Sequence, residues 1–363
     1  MNNYNWPYYD IEQLNKDLHL YFINSDSSTI FKSNEVKNFE NSFLKLLDGV
    51  EYGVMMSSGT SALLASLYAL NLPKGSYVAV QNHTFRACAT VIIAAGFIPV
   101  IIGTDIYNGQ MSLEKLEEAC IENSIFAVIL THVWGGTVDI NQLEYLKRKF
   151  GFYIIEDCSH AHGVKYENKP LGSFFEISIF SCGSTKIVSG MQGGMFCCSN
   201  KKHYLRAMAF CQPKNYLSKE YENSVEYKLC QSGMGYNFRP HPISALLANQ
   251  HLSTLEDRVE HRKNKVANII ALVKEKKLGI SPLEQSCKLD NYFYYKLPFI
   301  LDENENVENV ASILGCKFEK SKYRNDNLEI LKYVDTKFYI DSDSENEFFK
   351  RLVVTDFYEA NFI

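Results

Sequence analysis

Between residues 53 and 198 the chain alternates short apolar runs with segments whose apolar side chains recur every three or four positions. The runs are Gly53–Met56, Tyr77–Val80, Ile98–Ile102, Phe126–Val133, Phe152–Glu156, Ile177–Ser181 and Met195–Cys198. Between them lie the helix-like segments Ser61–Leu70, Phe85–Ala95, Leu113–Glu122 and Ile140–Phe150. A strand, a helix and a second strand in sequence form a crossover that leaves the two strands parallel, and nearly continuous apolar runs mean that both sheet faces are covered. The pattern predicts an α/β fold whose large domain holds a mostly parallel seven-stranded sheet flanked by helices. Ligands of such sheets bind beyond the carboxyl ends of the strands, so functional residues are sought where strands run into loops.

The rest of the chain is less regular. Residues 1–50 read as an N-terminal arm with one helix, about Ser33 to Leu47, carrying Val36, Phe39, Phe43, Leu46 and Leu47 on its apolar face. From Pro242 to Lys277 an amphipathic stretch reads as one or two helices, with Pro242 suited to a first helical turn. A strand-like run, Tyr292–Leu301, a helix-like run, Val307–Leu314, and a polar stretch before Phe348–Tyr358 suggest a smaller C-terminal α/β domain. The expected division is residues 1–241 for arm and large domain and 242–363 for connecting helix and small domain.

Composition excludes several classes of function. The 363 residues carry a net charge of −5 and their 37 Lys and Arg are scattered, which argues against nucleic acid or an anionic membrane as partner. No apolar run reaches the roughly 20 residues needed to span a bilayer, and Met1 to Asp10 has no signal-peptide pattern, so a cytoplasmic protein is expected. Ten cysteines without a CxxC pair, mostly inside apolar runs, read as reduced core residues. GxGxxG after the first strand, GxxxxGK[ST] and HExxH are all absent.

Three strand-to-loop junctions carry candidate chemistry. In Ser57-Ser58-Gly59-Thr60-Ser61-Ala62, a glycine, two hydroxyls and the start of a helix would suit an anionic phosphate; the plain alternative is a Ser/Thr helix cap without a ligand. In Tyr153-Ile154-Ile155-Glu156-Asp157-Cys158-Ser159-His160-Ala161-His162-Gly163, a strand ends in Asp157, able to bind a protonated ring nitrogen or a metal; no further ligand at helpful spacing follows, and no metal is expected. In Phe180-Ser181-Cys182-Gly183-Ser184-Thr185-Lys186, a lysine follows a buried strand, where burial lowers its pKa and frees the amine for Schiff-base chemistry; a solvated or ion-paired loop lysine is the alternative. Together the junctions offer a phosphate cradle, an acid for a pyridinium nitrogen and a Schiff-base lysine, the set that pyridoxal 5′-phosphate requires.

These motifs resemble the DegT/StrS family of pyridoxal phosphate-dependent nucleotide-sugar aminotransferases, enzymes of the aspartate aminotransferase fold type. The likeness runs from about Phe39 to Arg262 through SSGTSAL (57–63), HTFRACAT (83–90), THVWGGTVDI (131–140), IIEDCSHAHGVKYENKPLGS (154–173), IFSCGSTK (179–186) and MGYNFRPHPISALLANQHLSTLEDR (234–258). The resemblance implies that Lys186 is the Schiff-base lysine and Asp157 contacts the pyridine nitrogen, the two catalytic residues. It further implies that Gly59, Thr60, Ser61 and Ser181 hold the phosphate, Phe85 stacks on the ring and His160 lies beside the ring hydroxyl. Asn237 would reach the cofactor of a neighbouring subunit, hence a homodimer with shared active sites.

The implied reaction moves an amino group, from L-glutamate, onto a nucleotide-linked keto sugar for surface glycan synthesis. Dehydratases of the same family carry His at the Schiff-base position, and Lys186 therefore favours transamination over sugar deoxygenation. Transamination of a substrate without a nucleotide and a non-catalytic, cofactor-binding regulator remain as alternatives. Two departures bear on the substrate: Met191-Gln192 stands where the family has Gly-Glu, and the match loses its specificity beyond about residue 301. Lys214, Arg239 and Arg324 are equal candidates for gripping a diphosphate.

Overall fold

The computed structural model describes residues 9–24, 33–212, 217–233, 235–284, 289–290, 292–303 and 305–355. Lys214 and Cys287, and the parts of the N-terminal arm and C-terminal run at 1–8, 25–32 and 356–363, lie outside the described residues.

All seven expected runs form strands of one sheet: β1 (Tyr52–Met56), β2 (Tyr77–Gln81), β3 (Ile98–Ile102), β4 (Ile125–Thr131), β5 (Tyr153–Asp157), β6 (Ile177–Ser181) and β7 (Gly194–Cys198). An eighth, β8 (Lys337–Tyr339), completes the order β1-β7-β6-β5-β4-β2-β3-β8. Only β7 runs against its neighbours. Central strands are buried on both faces, as β5 is through Ile154, Ile155 and Glu156, which explains their unbroken apolar pattern. One core, containing Phe43, Val128, Leu130, Ile154 and Phe180, fills one face; another, containing Leu63, Leu67, Ile92, Ile129 and Phe196, fills the other.

The sheet thus has eight strands where seven were expected. The addition lies in the polar stretch after Leu314, where three residues at a sheet edge, none of them buried, leave no apolar run to read. It also lies beyond residue 242, so the eight-stranded sheet takes one edge strand from the C-terminal part of the chain. The second sheet, of four short antiparallel strands, takes Ile280–Pro282, Leu297–Leu301, Phe318–Lys320 and Leu352–Thr355. The stretch from Pro242 forms two helices, Pro242–Ser253 and Leu255–Glu275, which break at Thr254. Pro242 opens the first of them and the ring of His241 caps it.

The strand expected at Tyr292–Leu301 begins only at Leu297. Upstream, the backbone is held by other partners: Tyr295 N–H donates to Trp134 O at 3.0 Å, and the Arg262 guanidinium donates to the carbonyls of Tyr294 and Tyr295, each at 3.0 Å. The tyrosines consequently pass along the carboxyl edge of the large sheet instead of joining the small one.

Candidate active site

A cavity of about 340 Å³ opens at that edge, and its lining includes Gly59, Thr60, Phe85, Asp157, His160, Ser181 and Lys186. Seven of the nine residues singled out in the sequence therefore meet at one place. Ser61 lies just behind it, and Asn237 lies outside.

The cradle forms because three elements converge without side chains in the way. Ser58 caps the helix Gly59–Leu70: its Oγ accepts from Ser61 N–H at 3.0 Å while Ser61 Oγ accepts from Ser58 N–H at 3.0 Å. The Ser61 hydroxyl donates in turn to Ser58 O at 2.7 Å, so Ser61 shapes the helix start, and the exposed hydroxyl of Thr60 faces the cavity. A Cβ on Gly59 would stand 3.0 Å from Ser181 Cβ, and one on Gly194 would stand 2.5 Å from Gly59 N. Both glycines let β6 and β7 press against the helix start, where first-turn N–H groups and the positive dipole end suit a phosphate.

Asp157 ends β5 and is buried. Its Oδ1 accepts from Ser159 N–H at 3.0 Å and its Oδ2 from the Cys88 thiol at 3.2 Å. Lys186 sits in the turn after β6, with Nζ 4.6 Å from the centre of the Tyr295 ring. Burial brings its ammonium down to about 8; Asp157 opposes that shift and Lys296 adds to it. A larger share of the amine is thus neutral and nucleophilic near neutral pH than in an ordinary lysine.

His160 is sandwiched in an aromatic stack, its ring 4.2 Å from Tyr295 at 10° of tilt and 5.7 Å from Tyr323 at 22°. Burial first, then Lys186 and Lys296, hold it well below the usual histidine range, so the ring is neutral. Its Nδ1 accepts from Trp134 N–H at 3.3 Å, which assigns the remaining proton to Nε2 and makes that atom a donor. Phe85 is half exposed and meets the edge of Tyr323 at 6.4 Å.

Asn237 is exposed and its Oδ1 accepts from Arg239 Nε at 3.0 Å; the segment is strapped to the cradle by Ser57 N–H donating to Phe238 O at 2.8 Å. Arg324 forms two bonds to Asp326, at 2.7 and 2.8 Å, and one to Asn346 at 2.6 Å, so its charge is already matched. Of the other two basic candidates for a diphosphate, Arg239 donates to Asn237 and Lys214 lies outside the described residues.

Three lining residues escaped sequence reasoning, Thr131, Tyr295 and Tyr323, while Met191 and Gln192, noted there only as departures from the family pattern, also line the cavity. Tyr295 donates its hydroxyl to Thr185 Oγ1 at 2.9 Å beside the lysine. Met191 adopts φ 63°, a left-handed conformation uncommon outside glycine, at a position where the family has Gly. That departure from the family pattern was the available signal.

Buried His132, Glu156 and Cys158 lie close enough together to suggest a metal site. Glu156, however, already accepts the N–H groups of Gly172 at 2.8 Å and of Phe174 and Phe175 at 3.0 Å each, and lies 3.3 Å from His132 Nε2. Its oxygens tie the 172–175 turn to β5.

The sequence profile of the DegT/DnrJ/EryC1/StrS aminotransferase family matches residues 16–344. The chain belongs to that family. Its relatives include the GDP-perosamine synthase of Escherichia coli O157:H7, 31% identical over 66% of this chain and 62% of that one. A second is the UDP-4-amino-4,6-dideoxy-N-acetyl-beta-L-altrosamine transaminase of Campylobacter jejuni, 29% identical over 63% of this chain and 59% of that one. The aligned part thus spans about six-tenths of the length of these two DegT-family relatives. Among solved structures, the fold matches GDP-4-keto-6-deoxy-D-mannose-3-dehydratase of E. coli with bound hydrated PLP. The TM-score is 0.80 at 20% identity, covering 96% of this chain and 92% of that one. 3-Amino-5-hydroxybenzoic acid synthase matches at TM-score 0.81 and 18% identity, covering 96% and 91%.

Proposed function

We propose that this family member is a pyridoxal phosphate-dependent aminotransferase that moves an amino group from L-glutamate to a nucleotide-linked keto sugar, in the synthesis of surface glycans. The observation that carries the reading is the cavity itself, where a buried carboxylate at a strand end, a lysine with a lowered pKa and a glycine-lined helix start face one space. The relatives named for amino sugars support the substrate class.

Bound there, pyridoxal phosphate supplies an electron sink for breaking a bond at the substrate's amino-bearing carbon. The chain's own residues supply the rest. Asp157 would accept the pyridinium N–H and hold that charge in place. His160 would donate from Nε2 to the ring hydroxyl oxygen, and Phe85 would pack on the ring. The Gly59 and Thr60 amides, with the Thr60 and Ser181 hydroxyls, would take the phosphate. The Lys186 amine would hold the cofactor's aldehyde carbon and, when free, would carry the substrate proton on Nζ.

The same reading makes the enzyme a homodimer. Asn237 is exposed and outside its own chain's cavity, which supports a role toward the cavity of a second subunit. Ile11, Leu20, Phe22 and Ile23 add an exposed apolar set on the helix Ile11–Asn24, suited to cover by a second copy. Among the described residues no helix is long and apolar enough to cross a membrane, and a cytoplasmic location follows from this reading together with nucleotide-linked substrates.

The test is a visible spectrum of protein supplied with cofactor, with and without L-glutamate, beside Lys186→Ala. The expected yellow band is absent in the variant, and glutamate converts it with release of 2-oxoglutarate. A band unchanged in Lys186→Ala would overturn the lysine's role, and a wild-type band indifferent to glutamate would overturn the donor. Light scattering that found a fully active monomer would overturn the dimer.

A further inference from the structure

Cys88 reads in sequence as one of ten core cysteines, and it is completely buried in the first turn of the helix Ala87–Ala94. Its surroundings are not those of an inert core residue. The thiol lies 3.2 Å from Asp157 Oδ2 and 3.6 Å from Thr131 Oγ1, while the Thr84 hydroxyl lies 2.8 Å from Thr131 Oγ1 and 3.5 Å from the sulfur. An ionised carboxylate has no proton to give, so the thiol must be the donor to Oδ2. Thr84 donates toward Thr131 and the sulfur, and all three groups belong to one connected set that ends at the carboxylate. Burial, and next the charge of Asp157, push the Cys88 thiol well above its ordinary range, which keeps the proton on sulfur.

We infer that Cys88 is a positioning residue for Asp157: its S–H bond to Oδ2, opposed by the Ser159 N–H on Oδ1, fixes the carboxylate's rotation so that free lone pairs point into the cavity. This rests on the assignment of Asp157 to the pyridine nitrogen. A carboxylate held at both oxygens by short-range donors keeps its direction when the ring arrives and needs no rearrangement to bind it. The thiol suits the task because it is a weak donor: it sets the carboxylate's direction while withdrawing less negative charge from it than a hydroxyl or an amide would. Thr84 and Thr131, joined to the sulfur, keep the thiol's own rotor from turning away.

Three variants separate positioning from packing: Cys88→Ala and Cys88→Val both lack the donor but differ in volume, and Cys88→Ser keeps a donor. The first readout is infrared absorption of the cofactor-free protein. The S–H stretch missing from Cys88→Ala should lie at lower frequency than an unbonded thiol's, and it should move up in Asp157→Ala. A Cys88 band at the unbonded position would overturn the proposal before any cofactor is added.

The second readout is the single-turnover reaction of the loaded enzyme with L-glutamate, alongside cofactor affinity. The rate should fall about tenfold in both Ala and Val and return to within about threefold in Ser, as expected for one hydrogen bond to a charged group. Equal losses in Ala and Ser, or a loss in Val alone, would mean that only packing matters and would overturn it. The Cys88→Ala effect should also vanish in an Asp157→Asn background, because the two act as one unit; full additivity would overturn it. Failure of the underlying reading looks different, since Asp157→Asn would then keep the wild-type rate whatever stands at position 88.

Discussion

The two walls of the cavity are built by different means. The wall that holds most of the residues proposed for the cofactor comes from the carboxyl ends of β1, β5 and β6 and the segments that follow them directly, positioned by the sheet. The second wall, with Tyr295 and Tyr323 stacked on His160, comes from backbone outside regular structure, pinned by scattered contacts such as Tyr295 N–H to Trp134 O and Asn325 N–H to Asn82 Oδ1 at 3.1 Å. A wall built from a sheet can hold the same chemistry across many proteins, while one built from loops can change shape at little cost to the fold. We therefore assign bond making to the first wall and substrate choice to the second.

Asp157→Asn probes that division most strongly. The single-turnover rate with L-glutamate should fall by about a hundredfold or more, within the range of general acid–base effects, while the yellow band persists. A wild-type rate would remove the chemistry from the strand-end wall. Gly59→Ala comes next, since its methyl would press on Ser181 at 3.0 Å to Cβ and 3.2 Å to Cα. Cofactor affinity, measured by titration, should drop about tenfold, in keeping with the loss of roughly one charged hydrogen bond.

Tyr323→Ala tests the other wall. The KM for the keto sugar should rise about fivefold, the scale of one aromatic contact, with the glutamate half-reaction within about twofold of wild type. Equal losses in both half-reactions would break the comparison. A smaller effect is expected in the pH dependence of cofactor attachment. Since burial lowers the Lys186 ammonium to about 8, the rate of band formation should rise through that pH and level off above it, and a rise centred near 10 would contradict the burial.

The smallest effect belongs to His83, which joins the walls: Nδ1 donates to Gly109 O at 2.7 Å and Nε2 accepts from Ser321 Oγ at 3.3 Å. Burial lowers it to about 4, against about 6.5 in the unfolded chain, so between those values the unfolded state binds a proton that the folded state does not. Its contribution is therefore complete above about pH 6.5 and lost as the pH falls toward 4. Thermal melts across that range should show Tm falling in acid, and falling less in His83→Gln.

The same contrast accounts for what the sequence revealed. Each strand of the first wall is a run of apolar residues ending in a polar one, and that ending is a local signal: Asp157 after Tyr153-Ile154-Ile155-Glu156 is visible without a structure. Tyr295 offers no such signal, because it lies in an aromatic run that reads as strand and is drawn away by Arg262 and Trp134, which are 33 and 161 positions distant. The edge strand Lys337–Tyr339 was hidden for a similar reason, its pairing being set by β3 rather than by its own pattern. Ser61 was read both as a phosphate ligand and, alternatively, as part of a Ser/Thr cap, and the structure shows its hydroxyl in that cap.

The second wall is also moored twice. Asn82 Nδ2 donates to Glu345 Oε2 at 2.8 Å and Asn325 Nδ2 to Gln81 O at 3.1 Å, while β8 adds a strand to the same side of the sheet. The segment that carries Tyr323 is thus held to the large domain from its C-terminal side. Segments held in that way can be exchanged whole: on the proposed reading, a graft that keeps the footings at Asn325 and Lys337–Tyr339 and rewrites what precedes them is the route to a new acceptor with the strand ends left untouched.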